Sequence, residues 1–168
     1  MPGWADVTRL GMTQPYGRIG VVVAEAGASS AHHADAVRRT GAELLVLRQR
    51  SNEIPETFAR RCRDRLAEIT RAGACIVEAR LVGGGRGRGD KILARAALVR
   101  TLIAPMARQG HGKLVLAGDA DDVLAMRGLA AVVRTQAAGT GVTILTDFDA
   151  PPSEAEARAD DDAGEART

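Results

Sequence analysis

The densest chemistry in this 168-residue chain lies in three clusters of polar residues. The first is a glycine run, Gly83 to Gly89 (GGGRGRG), with Arg86, Arg88 and Lys91 within or just after it. Backbone N–H groups in such a loop, ahead of a helix, can cradle an anion. The spacing is not that of a Walker A loop. Gly89 is followed by Asp90 and Lys91, with no Ser or Thr to reach magnesium, and no GxGxxG is present.

The second cluster is acidic: Glu25, Asp90, Asp119, Asp121 and Asp122. Carboxylates converging on Mg²⁺ are the usual apparatus of phosphodiester hydrolysis. The simpler reading makes Asp119 to Asp122 caps and first-turn residues, where a helix favours negative charge. The third cluster is basic: Arg48, Arg50, Arg60, Arg61, Arg63 and Arg65. It would suit phosphate groups, or form a solvated helix face with Glu56, Asp64 and Glu68.

Histidine and cysteine supply no complete site. His32 and His33 are adjacent and diverge by about 100° on a helix, which prevents easy sharing of a metal. There is no HExxH, no paired CxxC and no GxSxG, so neither zinc nor a catalytic triad is expected. Cys62 and Cys75 sit in apolar surroundings and read as buried thiols.

The elements that must carry these residues alternate. Arg18–Ala24, Glu43–Leu47, Ala74–Val82, Lys113–Ala117 and Val142–Leu145 are β-branched or aliphatic runs and read as strands. Between them lie four helices. The first is capped by Ser29 or Ser30 and ended by Gly41. The second begins at Pro55, buries Phe58, Cys62, Leu66 and Ile69, and closes at Gly73. The third opens at Asp90, carries Ile92, Leu93, Val99, Leu102, Ile103 and Met106, and is kinked or ended by Pro105. The fourth covers 121–138.

The result is an α/β fold, Rossmann-like, with a five-stranded parallel sheet and helices on both faces. The expected strand order is 3-2-1-4-5, with the sequence-adjacent order as its competitor; the first makes β1 and β4 neighbours at the switch point. Ligand-binding residues are then sought in the loops at the strand carboxyl ends: Glu25, Gly27, Ser29, Gly84, Gly85, Arg86, Gly87, Arg88, Gly118 and Asp119. Residues 1–17 read as an irregular lead-in and 18–148 as the domain. Residues 149–168 read as an acidic, disordered tail. Within 151–168 two arginines face six carboxylates, a net −4, which leaves +6 on residues 1–150.

Composition bounds the partners. Aromatics are 2% of the chain, too few for a base-stacking platform, so nucleic acid is not an expected partner. The chain has neither a signal-peptide pattern nor the ~18 consecutive apolar residues of a membrane span, so a cytoplasmic protein is expected. A mildly basic body favours a small phosphate-bearing ligand. Nucleotide and Mg²⁺ are the cofactors to consider.

Two family resemblances follow. LAGDAD (Leu116–Asp121), with RGDKIL (Arg88–Leu93) upstream, looks like the acidic motifs of PIN/NYN-type ribonucleases. This implies a Mg²⁺-dependent nuclease or phosphoesterase using Glu25, Asp90, Asp119 and Asp121. That family ends its first strand in aspartate, where this chain has Ala24 and Glu25. More of the chain resembles the universal stress protein family, through its element order and the stretch VVVAEAGASSAHHADAVRRTGAELLVL (Val21–Leu47). That resemblance implies a regulatory, small-ligand-binding module without a catalytic set, forming a homodimer through its last strand. The family's ATP motif, Gly-x2-Gly-x9-Gly-Ser/Thr, is absent: Gly118 is followed at the next required place by Asp121. A third expectation is a ligand-free scaffold that recruits partners.

Overall fold

The computed structural model describes residues 17–84, 89–118 and 122–147, except for the side chains of 89 and 90. The lead-in up to Tyr16 and the tail from Phe148 lie outside the described residues. Nine elements alternate: β1 Arg18–Ala24, α1 Ala31–Arg39, β2 Glu43–Arg48, α2 Pro55–Arg71, β3 Cys75–Val82, α3 Gly89–Gln109, β4 Gly112–Ala117, α4 Val123–Ala137 and β5 Val142–Thr146. All four strand pairings are parallel. The α/β, Rossmann-like expectation holds.

The strand order is β2-β1-β3-β4-β5, not the expected 3-2-1-4-5. Burial explains the difference. β3 is the longest strand at 8 residues, and none of them is exposed, so it takes a central place with both edges paired. β2 is mostly half-exposed or exposed and sits at the rim. The switch point therefore falls between β1 and β3, where the chain leaves β1 in one direction and returns on its other side.

The helices divide unequally. The main core joins the α2 residues Phe58, Cys62, Leu66 and Ile69 to α3, α4 and one face of the sheet. On the opposite face α1 packs alone, with Val37 against Val22 and Val82. Gly20 makes this possible: a Cβ there would overlap Val37 Cγ1. The β1–β3 register shifts between Ile19 and Gly20, so that Ile19 pairs with Ile76 and Gly20 with Glu78. The bulge at Val77 turns Glu78 and Arg80 away from the main core.

Several local expectations hold. Pro55 stands at the start of α2, and Gly41 and Gly73 take the positive φ that follows a helix end, +82° and +99°. Others need correction. Ser30 has the cap position of α1, but its hydroxyl makes no capping bond and accepts one from Arg48 instead. Pro105 does not end α3, which continues to Gln109. Cys62 is fully buried as expected, but Cys75 is only half-buried; burial pushes the Cys62 thiol up to about 12.

The apolar stripe of α3 is also displaced from its expected place. Ile92 and Leu93 are exposed, Leu93 by 73%, whereas Leu98, Val99, Leu102 and Met106 are buried. Projected one turn back, that stripe runs through Arg95, which is 1% exposed.

Candidate functional site

The carboxyl ends of β1, β3 and β4 meet around the side chain of Arg95. Its Nε donates to Glu25 Oε2 and its Nη2 to Glu25 Oε1, both at 2.6 Å. The same Nη2 donates to Asp122 Oδ1 at 2.8 Å. Glu25 also accepts from the Gly84 backbone N–H at 3.0 Å. Lys91 lies 3.4 Å from Glu25 and donates to the Gly84 carbonyl. Two carboxylates are thus balanced by two cations. Burial opposes charge on Arg95, but Glu25 and Asp122 outweigh it and hold the guanidinium above its ordinary range.

The backbone is shaped to this network. A Cβ on Gly83 would stand 2.8 Å from Arg95 Nη2 and 3.0 Å from Asp122 Oδ2. A Cβ on Gly84 would overlap the Ala26 carbonyl. The first two glycines of the run are therefore required by packing. Among the described residues, Arg95 Nη1 and Asp122 Oδ2 are buried without a hydrogen-bond partner.

Asp122 was expected to cap α4, and its position is that of the cap. Its side chain makes no capping bond; it turns inward to Arg95. The expected convergence of the acidic loops is real for Glu25 and Asp122, although an arginine holds them together. Arg95 had one sequence signal, an arginine at an apolar position of a helix. Gln49 is a second residue that sequence reasoning missed. It is buried, accepts from the Ala26 N–H at 3.0 Å and donates to the Glu53 carbonyl at 2.8 Å, which ties the turn after β1 to the loop after β2.

A depression of about 460 Å³ runs along α1, from the residues just before it to Arg38 in its last turn. Ser29, Ser30, Asp35, Arg38, Val46 and Arg48 line it together with the first turn of the helix. Arg48 Nη2 donates to Ser30 Oγ. Arg38 Nη1 donates to Asp35 Oδ1 at 3.1 Å, and both of those side chains are more than half exposed.

The expected ligand residues divide accordingly. Glu25 and Gly84 belong to the buried network, and Ser29 to the depression. Gly27 occupies an exposed turn with φ +84°. Gly118 is half-buried just after β4. Asp90 is in the first turn of α3, with its side chain outside the described residues. Gly85, Arg86, Gly87, Arg88, Asp119 and Asp121 also lie outside them.

Three of the six arginines of the basic cluster are held in ion pairs. Arg61 donates two hydrogen bonds to Glu53, at 2.9 and 2.7 Å, and one to the Arg48 carbonyl. Arg63 and Arg65 pair with Asp64 and Glu68. On the α1 side of the sheet His33 meets Arg80 at 3.0 Å, and both His32 and His33 approach Asp147, at 3.7 and 3.9 Å. Burial, reinforced by Arg80, pushes His33 down to about 4. Among the described residues no three His, Cys, Asp or Glu side chains are grouped to hold a metal ion, and no helix is long and apolar enough to cross a membrane.

The chain matches no protein-family model, and a search of curated proteins finds no matching relative.

Proposed function

We propose that this protein is a binding module, without a catalytic set of its own, for a small phosphate-bearing ligand at the carboxyl edge of its sheet. The observation that carries the reading is the depression along α1. It is lined by the guanidinium groups of Arg38, in the last turn of α1, and Arg48, at the end of β2, and by the hydroxyl of Ser29 just ahead of the helix. Guanidinium forks and helix N–H groups are complementary to phosphate oxygens. Ser29 and Arg48 stand beyond and at the carboxyl ends of β1 and β2, the side of the sheet on which open parallel sheets bind ligands, although one strand away from the switch point.

Kinship with universal stress proteins belongs to this proposal and rests on the number and alternation of the elements. So does a homodimer through β5. That strand pairs only with β4 among the described residues, and Leu145 is exposed on it. An open strand edge of this kind favours a second chain.

The metal-dependent nuclease reading has less support. Both oxygens of Glu25 are held by Arg95, so a divalent ion would have to displace a guanidinium. The test is native mass spectrometry and calorimetry of the full chain with inorganic phosphate, ribose 5-phosphate and ATP. Saturable uptake that Arg48→Ala abolishes, with the fold intact by circular dichroism, is the expected outcome. No uptake of any of the three would overturn the proposal.

A further inference from the structure

We infer that the lead-in of this chain, residues 1–16, docks on the α1 side of β4 and β5, where the sheet extends past α1. The chain thereby completes its own fold at a surface that the four described helices leave open.

The need for a cover follows from the sheet. A wholly parallel sheet is found with both of its faces shielded. Residues of α2, α3 and α4 shield one face, and α1 alone takes the other, with Val37 against Val22 of β1 and Val82 of β3. No residue of β4 or β5 belongs to that α1 core. Val82 has Ala117 as its register partner, and two residues earlier Arg80 partners Val115, which partners Leu145. These side chains therefore share the α1 side of the sheet. Val115 and Ala117 are only 4% and 1% exposed, yet belong to neither core, so the two cores do not account for their burial. Leu145, next in the same row, is 41% exposed.

Charge narrows the choice of occupant. Glu78 pairs with Arg80 and Lys113, and Asp147 stands at the far end of the same side, near His33. Two carboxylates balance two cations, so the surface offers no net charge to attract an acidic or a basic partner. An apolar segment suits it.

The lead-in matches in place, reach and composition. The Cys75 N–H donates to the Gly17 carbonyl at 2.8 Å, so the chain enters the sheet alongside β3. Gly17 has a φ of +68°, a turn that glycine makes without strain. Residues 1–16 span about 50 Å when extended, whereas β3 and β5 lie about 10 Å apart in the sheet. They carry Trp4, Val7, Leu10, Met12 and Tyr16. The opposite end of the chain does not match, since residues 149–168 hold no apolar side chain larger than proline.

Trp4 is the only tryptophan, so its fluorescence reads the contact directly in the full chain. Its emission should lie at shorter wavelength than in urea, and acrylamide should quench it less. Leu145→Asp and Thr143→Glu put charge on the docking surface at exposed positions. Each should shift Trp4 emission and quenching to the values seen in urea, with the circular dichroism of the fold unchanged. Leu93→Asp, at an exposed apolar position on α3 across the sheet, should leave both unchanged. A Trp4 as open to acrylamide in the native chain as in urea overturns the inference. So does shielding that survives either β5 variant, or that Leu93→Asp abolishes. Shielding lost on dilution also overturns it, and assigns the cover to a second copy of the chain.

Discussion

Arg95 grips Glu25 with two parallel hydrogen bonds, Nε to Oε2 and Nη2 to Oε1, each 2.6 Å long, in a place where both side chains are almost fully buried. The geometry is the fork-to-carboxylate arrangement that lysine cannot reproduce. Arg95→Ala would leave Glu25 and Asp122 buried, with Lys91 the one other cation near them among the described residues. Breaking a buried pair in this way costs about 3–5 kcal/mol, so urea denaturation should show a loss of that size. Arg95→Lys should recover less than half. Replacing all three members, Glu25→Gln with Arg95→Met and Asp122→Asn, should be less damaging than Arg95→Ala alone.

The contact between Gly20 and Val37 predicts a rescue. Gly20→Ala drives a methyl into Val37 and should cost about 1–3 kcal/mol, the usual penalty of overpacking. Val37→Ala opens a gap under α1. Combined, the two changes should cost clearly less than their sum, and a double-mutant cycle measures the coupling. Additive costs would mean that α1 does not rest on β1 at this point.

The displaced stripe of α3 separates two leucines five residues apart. Leu98 is buried and Leu93 is 73% exposed. Leu98→Ala should cost about 2–5 kcal/mol, whereas Leu93→Gln should stay within about 0.5 kcal/mol. Thermal denaturation of the two variants decides it.

Acid should destabilise the fold in two windows. His33 is lowered from 6.5 to about 4 by burial and by Arg80 beside it. Between these values the unfolded chain binds a proton that the folded one refuses, so stability is full above pH 6.5 and falls towards pH 4, by about 3 kcal/mol at most. Glu53 is lowered from 4.5 to about 2 by its hydrogen bond from Arg61. The stability it contributes is present above 4.5 and is lost as pH falls to 2. Denaturation midpoints against pH should flatten between 6.5 and 4 in His33→Gln, and between 4.5 and 2 in Glu53→Gln.

Sequence reached the elements more easily than their lateral arrangement. A run such as RIGVVVA (Arg18–Ala24) declares a buried strand because every position after Arg18 is aliphatic or small, and β1 has those bounds. The spacing of Phe58, Cys62, Leu66 and Ile69 likewise fixes one face of α2. Nothing in those local patterns says which strand lies beside which. That depended on how fully β3 is enclosed and how much of β2 is left in water, quantities that belong to the assembled sheet. The candidate site was legible in outline, since Glu25, Gly84 and Ser29 stand at the expected edge. Its central residue, Arg95, was hidden in a helix whose apolar pattern began more strongly at Ile92 and Leu93, both of which face solvent.

The position of β3 beside β1, and not beside β2, bears on how the chain assembles. β1 and β2 can pair once α1 has formed between them, but the other edge of β1 waits for a partner that lies beyond the whole of α2. During synthesis the most apolar strand of the protein is thus half-paired until β3 emerges. Closing that long loop is a slow step in a sheet built only from parallel pairs. The bare edge of Val21–Ala24 is then the place where a stalled or truncated chain would associate with another copy. A fragment ending at the close of α2 should therefore aggregate, and one extended through β3 should aggregate less.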